Sequence, residues 1–175
     1  MPQSRTDALL TIARVVIVIV QVLIVVAMVG IGIALAAMVF THGQVAAELT
    51  KQGVPSSAYW GIIVALLLGC GMLALWERFV VFLRRIVDSV GAGDPFAPEN
   101  AVRLARMGWM ALGVFALSIP LGILSAWIES ATEAGSLDID FDGGGSGIVL
   151  ALTLFILARV FRQGAAMRED LEGTV

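Results

Sequence analysis

The sequence predicts an all-α integral membrane protein with four transmembrane helices, and its composition, its tryptophans and its charge distribution support this fold class. Hydrophobic residues make up 59% of the 175 residues, charged residues only 14%, and the mean hydropathy is +0.95. Soluble domains average about 45–50% apolar and about 25% charged residues, so this composition lies outside their range. The length suits one compact membrane domain.

Four tryptophans mark where two of the spans meet the membrane surfaces. Trp60 and Trp76 enclose one apolar run, and Trp109 and Trp127 enclose another. At 1.5 Å per helical residue these separations are roughly 24 and 27 Å, close to the hydrocarbon thickness of about 30 Å. Because indole rings favour the headgroup region, we expect all four tryptophans to act as interface anchors.

Four apolar runs predict the spans, at about residues 15–40, 58–76, 107–127 and 145–161, followed by a tail at 162–175. The first run is far longer than the roughly 7–15 apolar residues of a cleavable signal sequence, so we expect it to be retained as an anchor. Pro120 lies inside the third run and predicts a kink, because proline removes a backbone hydrogen bond. The last apolar stretch, Ile148–Phe161, is short enough to be either a span or a buried segment.

The charge distribution resolves that ambiguity and orients the chain. Of the 11 basic residues, only Lys51 falls outside in a four-span arrangement with a cytoplasmic N-terminus. Cytoplasmic loops carry an excess of Lys and Arg, so this bias favours the arrangement. A three-span chain would move Arg159, Arg162 and Arg168 to the outside and remove the bias. We therefore expect a multi-pass protein of the cytoplasmic (inner) membrane with both termini in the cytoplasm.

The connection between spans 2 and 3 predicts an amphipathic helix at the inner surface. Between Phe79 and Val90, apolar residues recur at helical spacing, with Arg85 and Asp88 on the other face. The segment Gly91–Pro95 ends this helix, and a new one is expected to begin at Pro98, a residue favoured in the first turn.

The connection before span 4 is acidic, and Leu137–Phe141 alternates strictly between apolar and acidic residues. This alternation predicts a short extracytoplasmic strand. Asp138, Asp140 and Asp142 also resemble the opening of a calcium-binding loop. Val149 occupies the position that requires a bidentate glutamate, however, so we expect no calcium site.

Small residues recur at every fourth position in two spans and allow close packing of helix backbones. These residues are Gly61, Ala65 and Gly69 in span 2, and Ser118, Gly122 and Ala126 in span 3. We expect them to pack helices within the chain, with homodimerisation through one row as the alternative.

Residues that could perform chemistry are scarce. No charged residue lies in the middle of a span, where Gln21, Cys70, Ser118 and Thr153 are the notable polar groups. Ion-coupled transporters need ionisable residues there. With one histidine, no metal site can use two imidazoles. We therefore expect no catalytic residues, no metal ligands and no cofactor. The loop 77–106 is nearly balanced in charge, so we also expect no direct binding of nucleic acid and no polybasic lipid-binding cluster.

Two stretches on the arginine-rich side are similar to a known family. They are Phe82–Gly91 continuing through Gly93–Phe96 to Glu99 and Asn100, and Ala158–Gly164 continuing through Arg168–Leu171 to Thr174 and Val175. The chain resembles the YoaS-like family of bacterial four-span membrane proteins, a domain of unknown function (2975). Ala97 departs from this pattern, since the family favours a Ser or Thr helix cap there. Alanine lacks the capping side chain, which weakens the helix cap by about 1 kcal/mol.

The resemblance implies a bacterial protein and transfers no catalytic residues. Some members resemble partners of small Xre-type helix-turn-helix regulators encoded beside them, which implies a sensing or regulatory role. We therefore expect a non-enzymatic membrane protein, regulatory or protective, that presents its inner loop and tail to a cytoplasmic partner. The tail is expected to dock either on the inner loop of its own chain or on that partner. The competing class is a small transporter, export or pore subunit; a membrane-embedded enzyme ranks last. The candidate docking residues are Arg84, Arg85, Asp94, Pro95, Phe96, Glu99, Asn100, Arg168, Glu169 and Asp170.

Overall fold

A computed structural model describes residues 3–51, 57–131 and 145–172, and these residues form five α-helices without a strand. The helices are α1 (Gln3–Phe40), α2 (His42–Lys51), α3 (Ala58–Gly91), α4 (Pro98–Ala131) and α5 (Gly145–Glu172). All but α2 are long and apolar enough to cross a membrane. The predicted all-α class with four membrane-spanning helices is confirmed, whereas the predicted strand at Leu137–Phe141 lies outside the described residues.

Several helix boundaries follow from local sequence. Helix α4 begins at Pro98 as predicted, and it continues through Pro120 without interruption. The amphipathic segment after Trp76 is the second half of α3, which continues to Gly91 because no Gly or Pro interrupts its helical spacing. The predicted tail is also helical for most of its length, since α5 extends to Glu172.

Helix α2 was not predicted within the first polar connection. It is short and polar, and Lys51 Nζ lies 3.1 Å from Glu48 Oε2 across one helical turn. Near its start, the His42 ring meets the edge of the buried Tyr59 ring at 4.5 Å. The Tyr59 hydroxyl donates to the Met38 carbonyl at 2.8 Å. These contacts join the end of α1 to the start of α3.

The four long helices form an open row. Among the described residues, α-carbons of long helices come within 8 Å of one another only for α1 with α3, α3 with α4, and α4 with α5. Neighbours in the row are antiparallel, because the end of each long helix connects to the start of the next long helix beside it. Helices α3 and α4 are therefore central, and α1 and α5 lie at the two edges.

The packed core lies between α4 and α5. Its buried members are Leu104, Met107 and Ala111 of α4 with Ala151, Leu154 and Ala158 of α5. Close approach depends on Gly108, since a Cβ there would lie 2.9 Å from Phe155 Cε1. Phenylalanines of α3 pack against the same cluster. Small residues on both helices thus allow interlocking with large ones.

The small residues of the two rows have different surroundings. A Cβ on Gly61 would lie 3.1 Å from the Trp127 ring, which is close packing. A Cβ on Gly69 or Gly122 would meet nothing within 4 Å, so these two positions face open space within the chain. A row of every fourth residue rotates by about 40° per step around the helix, so its far end turns away from the neighbour. The close approach between α3 and α4 passes through Gly71 and Gly113 instead.

The tryptophans fall at two levels along the row. Gly61 lies beside Trp127, and Gly113 beside Leu75. Trp60 and Trp127 therefore share one level, and Trp76 and Trp109 share the other. All four side chains are exposed, as membrane anchors must be. We call the region beyond Trp76 and Trp109, which contains the α3–α4 turn, the arginine-rich end.

Candidate functional site

The turn between α3 and α4 is fixed by its backbone. Gly93 has a positive φ of 84°, which only glycine adopts at no steric cost. Its N–H donates to the Val90 carbonyl at 3.0 Å, and the Asp94 N–H donates to the Ser89 carbonyl at 3.1 Å. This pair of bonds is the Schellman motif, which ends a helix with glycine in the left-handed position. Pro95 follows directly and cannot continue the helix.

Asn100 is fully buried and joins both helices to this turn. Its Nδ2 donates to Ser89 Oγ at 2.7 Å and to the Pro95 carbonyl at 3.1 Å. Its Oδ1 accepts from Arg103 Nη1 at 2.7 Å. Both ends of the amide are therefore satisfied, as a buried polar group requires.

Helix α5 docks on the same turn. Arg168 Nη1 lies 2.7 Å from Asp94 Oδ1. Two turns of α5 closer to the membrane-spanning part, the centroids of the Phe96 and Phe161 rings lie 5.5 Å apart. A Cβ on Gly164 would come within 2.8 Å of Phe96 Cδ1, so glycine allows the ring to lie against the helix. The end of the chain thus contacts its own α3–α4 connection.

Helix α1 reaches the end of α3 through another ion pair. Arg14 Nε lies 3.0 Å from Asp88 Oδ1, with both side chains 49% exposed. A Cβ on Gly91 would lie 2.8 Å from Arg14 Nη2, so glycine leaves room for the guanidinium. A half-exposed pair contributes about 0–1 kcal/mol, so this contact orients α1 more than it stabilises it.

The predicted docking residues divide into two groups. Asp94, Pro95, Phe96, Asn100 and Arg168 meet at the turn, and we call these five residues the turn cluster. Exposed Glu99, Glu169 and Asp170 flank it in sequence.

Arg84 and Arg85 are not part of the turn cluster. Arg84 Nη1 lies 3.5 Å from Gln21 Oε1 on α1. The Arg85 guanidinium carbon lies 5.8 Å from the centroid of the Phe82 ring. The Arg85 carbonyl accepts from Arg103 Nη1 at 3.4 Å, and Arg103 also donates to Asn100, so Arg85 connects to the turn cluster through its backbone rather than its guanidinium.

Sequence reasoning also missed residues that organise the arginine-rich end. They are Arg14, Asp88, Ser89, Arg103, Phe161 and Gly164. For Arg14 and Asp88 a signal existed, because opposite charges stand on the arginine-rich side of two consecutive apolar runs. No charge pattern of this kind marks Phe161, because in the sequence it is one of many apolar residues of the last span.

The polar groups within the spans do not converge on one another. The Ser118 and Thr153 hydroxyls donate to carbonyls of their own helices, at 2.7 and 2.8 Å. Gln21 Nε2 donates to Glu77 Oε1 at 3.1 Å. The other carboxylate oxygen of Glu77 is buried without a hydrogen-bond partner among the described residues. Among the described residues, these polar groups therefore bond to separate partners rather than to one another.

A row of four apolar helices with an organised turn at one end defines a multi-pass helical membrane protein. Residues 45–175 match the model of the family described as protein of unknown function (DUF2975), and the chain belongs to this family. The family expected from the resemblance is thereby confirmed. No curated protein and no solved structure matches the chain.

Proposed function

We propose that this protein is a non-enzymatic protein of the bacterial inner membrane, with both termini cytoplasmic, that presents the turn cluster and the end of α5 to a cytoplasmic protein partner. Its role would be regulatory or protective. The orientation is supported by the basic residues, all of which except Lys51 belong to the arginine-rich end or to its boundary.

The observation that supports this function most strongly is exposed apolar surface around the Asp94–Arg168 ion pair. Phe96 is 42% exposed, Met167 62% and Leu171 71%. The Phe155 ring contacts the Trp109 ring. Met167 lies 12 residues after Phe155 along α5, which is roughly 18 Å of helix. That distance carries it past the headgroup layer, so lipid does not cover it. Clustered apolar side chains on a water-facing surface are typical of protein interaction sites.

The turn cluster is also held in one arrangement before any partner binds. The Schellman turn, the buried Asn100 and the docked α5 each restrain it. A surface that is already ordered loses less conformational entropy on binding. The exposed acids Glu99 and Glu169 favour a partner with a basic surface. A small helix-turn-helix regulator, suggested by the resemblance, has such a surface because it binds DNA.

Site-specific photocrosslinking in cells tests this function. A photoreactive amino acid at Met167 is expected to form an adduct with one cytoplasmic protein at native expression levels. The matched control is Ile123, equally exposed but located between Trp109 and Trp127, where lipid surrounds it. The charge reversal Asp94→Arg should weaken the Met167 adduct, and Asp94→Arg with Arg168→Asp should restore it. If Met167 gives no protein adduct, or the same adducts as Ile123, the proposed function is wrong.

A further inference from the structure

A groove between α4 and α5 lies at the arginine-rich end, and none of its lining residues belongs to the turn cluster. Its volume is about 450 Å³, and it is lined by Ala105, Phe155, Ala158, Arg159, Arg162 and Gln163. The wall nearest Trp109 is apolar, and the opposite wall presents two guanidinium groups and an amide. A groove with one apolar and one cationic end suits an amphiphilic anion.

The two arginines of the groove have no acidic partner. Arg159 and Arg162 are three residues apart, so they lie on one face of α5. Neither makes an ion pair or hydrogen bond with any residue that the structure describes, and both are exposed. Two acids of the arginine-rich end are engaged elsewhere, Asp88 with Arg14 and Asp94 with Arg168. The groove therefore concentrates uncompensated positive charge.

The depth of the groove matches the phosphate layer of a bilayer. The Phe155 ring contacts the Trp109 ring at 5.5 Å, and Trp109 marks the edge of the hydrocarbon region. Arg159 and Arg162 follow Phe155 by four and seven residues, or roughly 6 and 10 Å of helix. Each headgroup layer extends about 5–8 Å beyond the hydrocarbon, so both guanidinium groups can reach lipid phosphates from this position.

We propose that this groove binds one anionic phospholipid. The phosphodiester lies between Arg159 and Arg162, where guanidinium groups can form charge-assisted hydrogen bonds with its oxygens. The Gln163 amide donates to the remaining headgroup oxygens. An acyl chain extends past Phe155 and Trp109 into the bilayer. The net negative charge of the lipid compensates two arginines better than a zwitterionic headgroup does, so the groove discriminates by headgroup charge.

Native mass spectrometry of the purified full-length chain tests this proposal. The protein is incubated with phosphatidylglycerol or with phosphatidylcholine in detergent, and the retained lipid is measured. We expect one phosphatidylglycerol per chain and weaker retention of phosphatidylcholine. Changing Arg159→Gln with Arg162→Gln should lower phosphatidylglycerol retention about 30-fold. The matched control, Arg78→Gln with Arg85→Gln, removes the same charge outside the groove and should retain the lipid.

Further variants separate the alternatives. Ala105→Phe fills the groove from α4 and leaves both arginines in place. This variant should also abolish phosphatidylglycerol retention, so it tests the site if the double-arginine variant folds poorly. Equal loss in the two double-arginine variants would overturn the proposal in favour of diffuse charge attraction. Displacement of the lipid by millimolar inorganic phosphate would overturn it in favour of a free-phosphate site. Because the variants leave the turn cluster intact, the Met167 crosslink tests the partner separately.

Discussion

At the residue scale, Asn100 has the highest concentration of specific contacts at the arginine-rich end. Its side chain is fully buried. The amide hydrogen-bonds to three parts of the α3–α4 connection: Ser89 at the end of α3, Pro95 in the turn and Arg103 in α4. Ser89 in turn donates to the Ile86 carbonyl at 2.8 Å. Replacing a residue of this kind leaves several partners unsatisfied at once.

Asn100→Ala is therefore expected to destabilise the protein by about 1–3 kcal/mol, because buried partners of the amide lose their hydrogen bonds. Thermal unfolding of the purified protein in detergent measures this loss. The neighbouring Glu99→Ala is the control, since Glu99 is exposed and its change should stay within about 0.5 kcal/mol. Equal midpoints for the two variants would show that the Asn100 network contributes nothing to stability.

At the element scale, the glycines separate helix faces that pack from faces that do not. Gly108 lies where α4 and α5 approach most closely, and a Cβ there would overlap Phe155. Gly69 lies on a face of α3 with open space around it. Both are mid-helix glycines in long apolar runs, so local sequence does not distinguish them.

Substituting alanine at these two positions should have opposite effects. Gly108→Ala is expected to destabilise by about 1–3 kcal/mol, because the ring of Phe155 must move and separate α4 from α5. Gly69→Ala should be neutral or stabilising by up to about 1 kcal/mol, because alanine favours helix and nothing obstructs it. Equilibrium unfolding in a denaturing detergent compares them. Greater loss of stability from Gly69→Ala than from Gly108→Ala would contradict the packing described.

At the scale of the whole molecule, the row of helices brings together, at the arginine-rich end, the start of α1, the end of α3, the start of α4 and the end of α5. Arg14 joins α1 to α3, and Arg168 joins α5 to the turn. The opposite end has fewer such contacts among the described residues; there the Tyr59 hydroxyl donates to the Met38 carbonyl. The specific polar contacts are thus concentrated where we propose that a cytoplasmic partner binds.

The orientation of the whole molecule can be tested by single-cysteine labelling in a Cys70→Ala background. An impermeant reagent added to intact cells is expected to modify Ser57→Cys and to spare Ala92→Cys, because the arginine-rich end should face the cytoplasm. Ala92 suits the probe because it is exposed. The nearby Ser89 is less suitable, because its hydroxyl accepts a hydrogen bond from Asn100 that a cysteine would disturb. Both cysteines must react after permeabilisation. Labelling of Ala92→Cys in intact cells would reverse the proposed topology.

Much of the architecture was determined by the sequence itself. A bilayer accepts only segments whose backbone groups bond internally, so long apolar runs predict helices whatever their neighbours are. The continuation of α3 past Trp76 and the start of α4 at Pro98 also follow from local patterns. Helix α2 was missed because a short polar helix has no apolar run to mark it.

Only the tertiary structure decided which side chains meet. Contacts between helices depend on their relative rotation and depth, and an apolar run constrains neither, because every face of a lipid-facing helix can be apolar. For this reason Gly71 and Gly113 face side chains of the neighbouring helix, whereas Gly69 and Gly122 face open space. For the same reason Arg168 proved to contact Asp94, whereas Arg84 and Arg85 contact other partners. The groove beside Arg159 and Arg162 likewise exists only because α5 lies against α4 at this depth.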